Sequence, residues 1–248
     1  MTYKFDTRYI GYPPIEERVA VPLSLRDLPI TSGTPATAED PVWGPGEFVF
    51  ARAGAGVRQY GACTLLPVWD SALRTYILNA TEVPNTTLLG RPAYISQCDG
   101  ALLVGQYGWF QRSGIVPVNS TASVADDVTT GIVATGQLGA VAAGKQLVSA
   151  RVVTPATQTV AKAGAGTSGD NRIVFQNVDG FIVGGYMSGT GVGAGAIITA
   201  IDRINNAITV SVVNTAAIAG NSTCTYNNAT IFYNVVAFDR AFYQGQIT

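Results

Sequence analysis

Histidine is absent from this 248-residue chain, and charge is scarce: Asp, Glu, Lys and Arg together make up 12% of it, against about 25% in an ordinary soluble domain. Without His the commonest general base and the commonest nitrogen ligand for metals are gone, and no zinc-type ligand spacing can be written. The three cysteines, Cys63, Cys98 and Cys224, stand alone and form no C-x-x-C pair. They read as small buried hydrophobes in a reducing compartment. No apolar run approaches the roughly 18 residues of a membrane-spanning helix. The opening MTYKFDTRYIGYPP carries charges where a signal peptide has an apolar stretch. The expectation is synthesis in a cytoplasm and no membrane partner. Net charge is −1, and the early basic residues (Lys4, Arg8, Arg18, Arg26, Arg52, Arg58) are interleaved with acids. No basic stripe marks the chain for nucleic acid.

Catalytic signatures are equally thin. GAGTSG (164–169) matches G-x-G-x-x-G, but DNRIVFQ follows it, a strand where a dinucleotide site needs a helix. It reads as a Gly-rich linker. SGTGVGAG offers backbone N–H groups to an anion but has no GK[ST] after it. A carboxylate pair is the remaining route to chemistry, namely glycan hydrolysis. Asp99, Asp179, Asp202 and Asp239 sit beside Gly, Arg or Asn in turn-like settings, where Asp serves local hydrogen bonding. Asp126 and Asp127 are adjacent, and on a strand would point to opposite faces. The expectation is therefore no enzyme, no catalytic residue, no cofactor and no metal. Trp43, Trp69 and Trp109, with Tyr60, Tyr76, Tyr94 and Tyr107, read as core or interface anchors, with sugar stacking as the alternative use.

Gly, Ala, Val and Thr fill the space that charge leaves, a balance suited to a surface covered by neighbours. Residues 1–45 read as an extended arm. Pro13, Pro14, Pro22, Pro29, Pro35, Pro41 and Pro45 block helix and central strand. The arm is nonetheless rich in apolar side chains, so it must lie over its own domain or a neighbour. TSGTPATAED (31–40) reads as a polar hinge, and the stretch around 24–28 as one helical turn. From residue 46, GEFVFARA, CTLLPVW, RTYILNA, PAYISQC and ALLVGQYGWFQ are strand-length runs bounded by turn residues. Their spacing fits a barrel or sandwich. In KQLVSARVV the alternation marks a strand with one solvated or interface face. Residues 164–230 read as an inserted module with strands at 172–176, 181–186, 196–201 and 207–213, a hairpin at Asn205-Asn206, and a helical turn near 215–219. Aromatic strand character returns at 231–248. The expected fold is all-β: a β-barrel or β-sandwich core (46–163, with its final strand from 231–248), the Pro-rich N-terminal arm, and the inserted small β-module.

GEFVFARA…GALLVGQYGWFQRSG (46–114), followed by AAGKQLVSARV (142–152), resembles the decoration, or cement, proteins of tailed-bacteriophage heads. In that family a short QYGW(V/F)Q run closes a strand of the barrel. The resemblance covers about residues 46–155, while SGTGVGAGAIITAID…NAITVS is similar to short β-modules of phage fibres and other virion surface proteins. It implies a structural virion protein on the outer capsid surface, bound to the major capsid protein and to itself as a homotrimer, stabilising the head by multivalent clamping. Tyr3, Phe5, Tyr9, Tyr12, Pro13, Pro14 and Arg18 are then the expected capsid or subunit contacts. Tyr107, Trp109 and Phe110 are the expected interface or core anchors. The alternative is a head- or tail-fibre protein that binds a host-surface receptor or glycan through 164–230.

Overall fold

The computed structural model describes residues 4–5, 12–22, 28–40, 43–86, 90–121, 124–154, 159–227 and 232–244. The chain is all-β, and no helix occurs among the described residues. It forms two compact units, one within Ala156–Phe232 and the other made by Tyr3–Pro155 with Tyr233–Thr248.

The larger unit holds β1 (Lys4–Phe5), β2 (Pro35–Asp40), β3 (Gly44–Ala53), β4 (Ala62–Asp70), β5 (Thr75–Glu82), β6 (Tyr94–Ser96), β7 (Tyr107–Ser120), β8 (Thr129–Ala134), β9 (Gln137–Ala140) and β10 (Gln146–Thr154). The smaller unit holds β11 (Thr159–Gly166), β12 (Arg172–Phe175), β13 (Tyr186–Gly189), β14 (Ile198–Asp202), β15 (Ala207–Val210) and β16 (Ile218–Asn227). The last strand, β17 (Phe232–Tyr243), pairs back onto β10.

In the larger sheet the order is β1-β2-β3-β5-β4-β6-β7-β17-β10-β8-β9. β3 also pairs with β7 along Arg52↔Tyr107 to Gly46↔Gly114, so β3, β5, β4, β6 and β7 close a ring. Ser120↔Leu138 joins β7 to β9 and closes a second ring through β17, β10 and β8. Closure removes sheet edges. The long β7 serves both rings because it bends between them. Arg112 is an extra residue between the pairs Glu47↔Ser113 and Phe48↔Gln111, a bulge that kinks the strand, and Gly114 lies at φ +107°.

Alternation along β3 and β7 sorts their side chains. Ala51, Ala53 and Phe110 join Val57, Cys63, Ala80, Cys98 and Leu102 in one fully buried cluster. Phe48, Phe50, Tyr107 and Trp109 point the other way, into a cluster with Ile15 and Ala38 that Tyr12, Val19, Leu28, Ile30 and Ala36 cover. Both faces of this strand pair are thus buried. Gly108 is fixed by packing: a Cβ there would stand 2.2 Å from the Cys98 Sγ.

The smaller sheet runs β13-β16-β11-β12-β15-β14 and is antiparallel throughout. It curls, and one isolated bridge, Tyr186↔Ile197, brings its two ends together. Its interior is aromatic: Phe175 and Phe181 meet edge to face at 4.9 Å, and Phe181 meets Tyr226 at 5.5 Å.

Several expectations are corrected. The hinge expected at 31–40 is largely strand: β2 pairs with β3 from Pro35↔Val49 to Asp40↔Gly44 and buries Ala38. The arm therefore ends before residue 35, not at 45. The module opens at β11, so GAG (164–166) is strand, not linker; Gly164 is there because a Cβ would press on Phe175 at 2.8 Å and Cys224 at 3.0 Å. Residues 181–185 form a loop, and β13 starts only at Tyr186. The Asn pair lies in a longer turn, residues 203–206, with Asn206 at φ +51°. Ile218–Asn227 is strand, paired with β11, so its start replaces part of the helical turn expected near 215–219. The helical turn expected at 24–28 falls mostly outside the described residues.

Candidate functional site

The residues singled out from the GQYGWFQ run are core. Tyr107, Trp109 and Phe110 are fully buried. Trp109 donates its indole N–H to the Pro13 carbonyl at 3.1 Å and packs against Tyr12 at 5.6 Å and Phe50 at 5.3 Å. Val19 and Tyr107 exchange backbone hydrogen bonds of 2.8 and 3.0 Å, and Asp99 N–H donates to the Glu16 carbonyl. Residues 12–19 of the arm are thus strapped across their own domain, with Tyr12 and Pro13 used on Trp109. Pro14 and Arg18 are exposed, and Arg18 reaches the Ala101 carbonyl at 3.3 Å. Phe5 pairs with Ala38 through its backbone. Tyr3 and Tyr9 lie outside the described residues.

Of the aromatic residues weighed above, two stand out together at the surface. Trp69 and Tyr76 face each other across β4 and β5, with rings 5.3 Å apart in an edge-to-face pair. Trp69 is 53% exposed and Tyr76 70%. The hairpin that carries them is tightly held. Asp70 accepts hydrogen bonds from Ala72 N–H at 3.0 Å and Leu73 N–H at 2.9 Å and pairs with Arg52, which also donates to Asn79. The Leu73 N–H first, and then the Arg52 guanidinium, holds the Asp70 carboxyl below its usual range. Pro67 lacks the N–H that an added strand would use. The hairpin therefore offers side chains, not an edge. Beside Tyr76, a groove of about 260 Å³ runs between Leu28–Ser32 and Thr75–Ile77. The signal for this pair was in the sequence: WD…RTY brackets a short turn, which sets Trp69 opposite Tyr76.

A second apolar surface lies where Val21 meets the turn before β7. Val21, Leu103 and Val104 are all exposed, and Val21 packs on the Gly105 backbone. ALLVG, expected as part of the strand, lies before it. A broad open groove of about 720 Å³ lies between β7, β10 and β17, with Ile115, Val153 and Phe238 among its walls.

The acidic residues do local work. Asp170 accepts from the backbone of Asn171 and Arg172, Asp202 from Asn205, and Asp126 from Asp127 N–H. Asp127 pairs with Arg151 at 2.7 Å in solvent. Glu47 bridges Arg240 and Arg112; the Arg240 hydrogen bond lowers its carboxyl pKa. Glu82 accepts from Arg58 at its backbone N–H (2.6 Å) and guanidinium (3.0 Å), yet burial pushes its pKa upward. The three cysteines are buried and unpaired, and burial pushes the Cys98 thiol up to about 12. Among the described residues no group of three or more His, Cys, Asp or Glu side chains is placed to hold a metal ion. What the surface can do is present aromatic and aliphatic side chains, on rigid turns, to a partner. The chain matches no family model, no curated protein and no solved structure.

Proposed function

We propose that the protein is a structural component of a phage virion that binds the outer surface of the head and stabilises it, acting as a homotrimer that clamps several capsid subunits at once. The observation that carries this reading is the rigid β4–β5 hairpin with the Trp69–Tyr76 ring pair exposed at its surface. Exposed aromatic clusters on a fixed scaffold mark protein-contact surfaces. The scarcity of charge and the resemblance of residues 46–155 to head-decoration proteins support the same reading. Linking several modest interfaces makes the later contacts intramolecular and raises affinity about 10²-fold or more. Trp69 and Tyr76 are the first contacts to test, together with Tyr3, Phe5, Tyr9, Pro14 and Arg18 of the arm. Co-sedimentation with undecorated heads should be saturable for the native chain and at least tenfold weaker for Trp69→Ala/Tyr76→Ala. Equal binding by both proteins would remove the hairpin from the interface.

A second reading, a head- or tail-fibre protein, draws on the same aromatic pair, because sugars stack on exposed aromatic rings. It predicts adsorption to host cells that free oligosaccharide inhibits, and no effect on head stability.

A further inference from the structure

In the smaller unit a lysine sits against the side chain of an asparagine. Lys162 lies on β11, and its Nζ donates to Asn177 Oδ1. It also donates to the Asn177 carbonyl at 3.4 Å and to the Asp179 carbonyl at 2.5 Å. The ammonium stands 5.0 Å from the centre of the buried Phe181 ring. Strand pairing produces this meeting. β11 and β12 pair as Ala165↔Val174 and Gly164↔Phe175; the same register carried two residues beyond β12 sets Asn177 opposite Lys162. The turn that follows brings Asp179 and Phe181 back onto the same amine, with Phe181 N–H donating to the Val178 carbonyl.

Three ingredients of amide exchange are therefore together: an amine, a primary carboxamide touching it, and a carboxylate within electrostatic reach. Burial lowers the Lys162 pKa while the Asp179 charge acts to raise it. A partly desolvated lysine is a better nucleophile than a solvated one, and fixed contact with its target removes the cost of bringing the two groups together. We propose that Lys162 and Asn177 become joined by an intramolecular isopeptide bond, with Asp179 as the proton carrier. Asp179 takes a proton from the Lys162 ammonium, and the neutral Nζ attacks Asn177 Cγ. The Nζ–Cγ bond forms and the Cγ–Nδ2 bond breaks. Asp179 returns its proton to the departing nitrogen, which leaves with the second ammonium proton as ammonium ion. Nothing is oxidised or reduced, and no co-reactant is needed. The product clasps the loop after β12 to the central strand β11 and holds the curled sheet where hydrogen bonding has stopped.

The test is the intact mass of the purified full chain under denaturing conditions, measured beside Lys162→Arg, followed by tryptic mapping. The native chain should be lighter by one ammonia than its own sequence requires, and Lys162→Arg should keep its full mass. Trypsin should not cut after Lys162, and a branched peptide should join residues 152–172 to 173–203. Asp179→Asn should retain full mass. A native chain of full mass, or one that has lost ammonia yet is cut after Lys162, overturns the bond. A joined Asp179→Asn chain overturns the part given to Asp179.

Discussion

In the larger unit β7 pairs with β3 over most of its first half and closes a ring whose interior is lined by small residues, Ala51, Ala53, Cys63, Ala80 and Cys98. In the smaller unit a single bridge, Tyr186↔Ile197, brings the ends of the sheet together, and the interior is built from Phe175, Phe181 and Tyr226. The larger unit puts Phe48, Phe50, Tyr107 and Trp109 outside the ring, beneath Tyr12, Ile15, Val19, Leu28 and Ile30, and admits only Phe110 among the buried aromatic residues of the inner cluster. The smaller one puts its aromatic rings inside and makes room with glycine. The same composition, rich in Gly and Ala, therefore has two uses: a narrow barrel interior in one unit, and space for aromatic rings in the other.

The largest break in this comparison should come from Trp109→Ala, which empties the covered aromatic layer and leaves the Pro13 carbonyl without its donor. A loss of about 3–5 kcal/mol is expected, read as a lower urea midpoint. Trp109→Phe, which keeps a ring but not the N–H, should cost less, about 1–3 kcal/mol. Gly108→Ala and Gly164→Ala test the two uses of glycine. Each forces a methyl into buried neighbours, with an expected cost of about 1–3 kcal/mol. Hydrogen exchange should quicken in β3 and β7 for the first and in β11 and β12 for the second. A neutral Gly164→Ala would return GAG to the status of a linker.

Smaller effects concern charge. The lowered Glu47 pKa means that its pairing with Arg240 and Arg112 stabilises the fold above the unfolded value of about 4.3 and is lost as pH falls through the lower folded value. Its size belongs to the ~0–1 kcal/mol range of exposed pairs. Glu82 has the opposite sign: its folded pKa is raised, so stability falls as pH rises from about 4.3 through the folded value. Glu47→Gln should flatten the acid limb of the stability profile, and Glu82→Gln should flatten the limb above it. Smallest of all should be the stability effect of Trp69→Ala and Tyr76→Ala, about ±0.5 kcal/mol as for surface positions, even where they weaken the proposed binding to heads.

The strands most legible in the sequence were those bounded by turn residues: GEFVFARA, CTLLPVW, RTYILNA and PAYISQC each coincide in part with β3 to β6. β7 was harder to read. Its apolar prelude ALLVG is a turn, and the strand runs on through Gly114 and Pro117, which look like stops, because the Arg112 bulge and the Gly114 conformation bend it into the second ring. β2 was hidden for a similar reason. Pro35 and the polar residues of ATAED disguise a strand whose inward residues are the alanines. In the smaller unit, β11 and β16 were hard to read because Gly, Ala and Ser outnumber large apolar residues along them; the rings of Phe175 and Phe181, with Tyr226 of β16, supply the apolar weight. Of the candidate site, Trp69 and Tyr76 stood on a readable hairpin, but alternation alone gave no means of separating them from Trp109 and Tyr107. The exposed pair stands at the surface of its hairpin, while the buried pair lies beneath residues 12–19 of the arm.

We propose that this chain sits on an assembled head. The most direct test is a binding isotherm of the purified protein on undecorated heads, with the mass of the unbound fraction measured in solution. Saturation at a fixed ratio to capsid subunits, with a trimer mass for the unbound protein, is the predicted result. Failure to bind heads at any concentration, with adsorption to host cells instead, would contradict it.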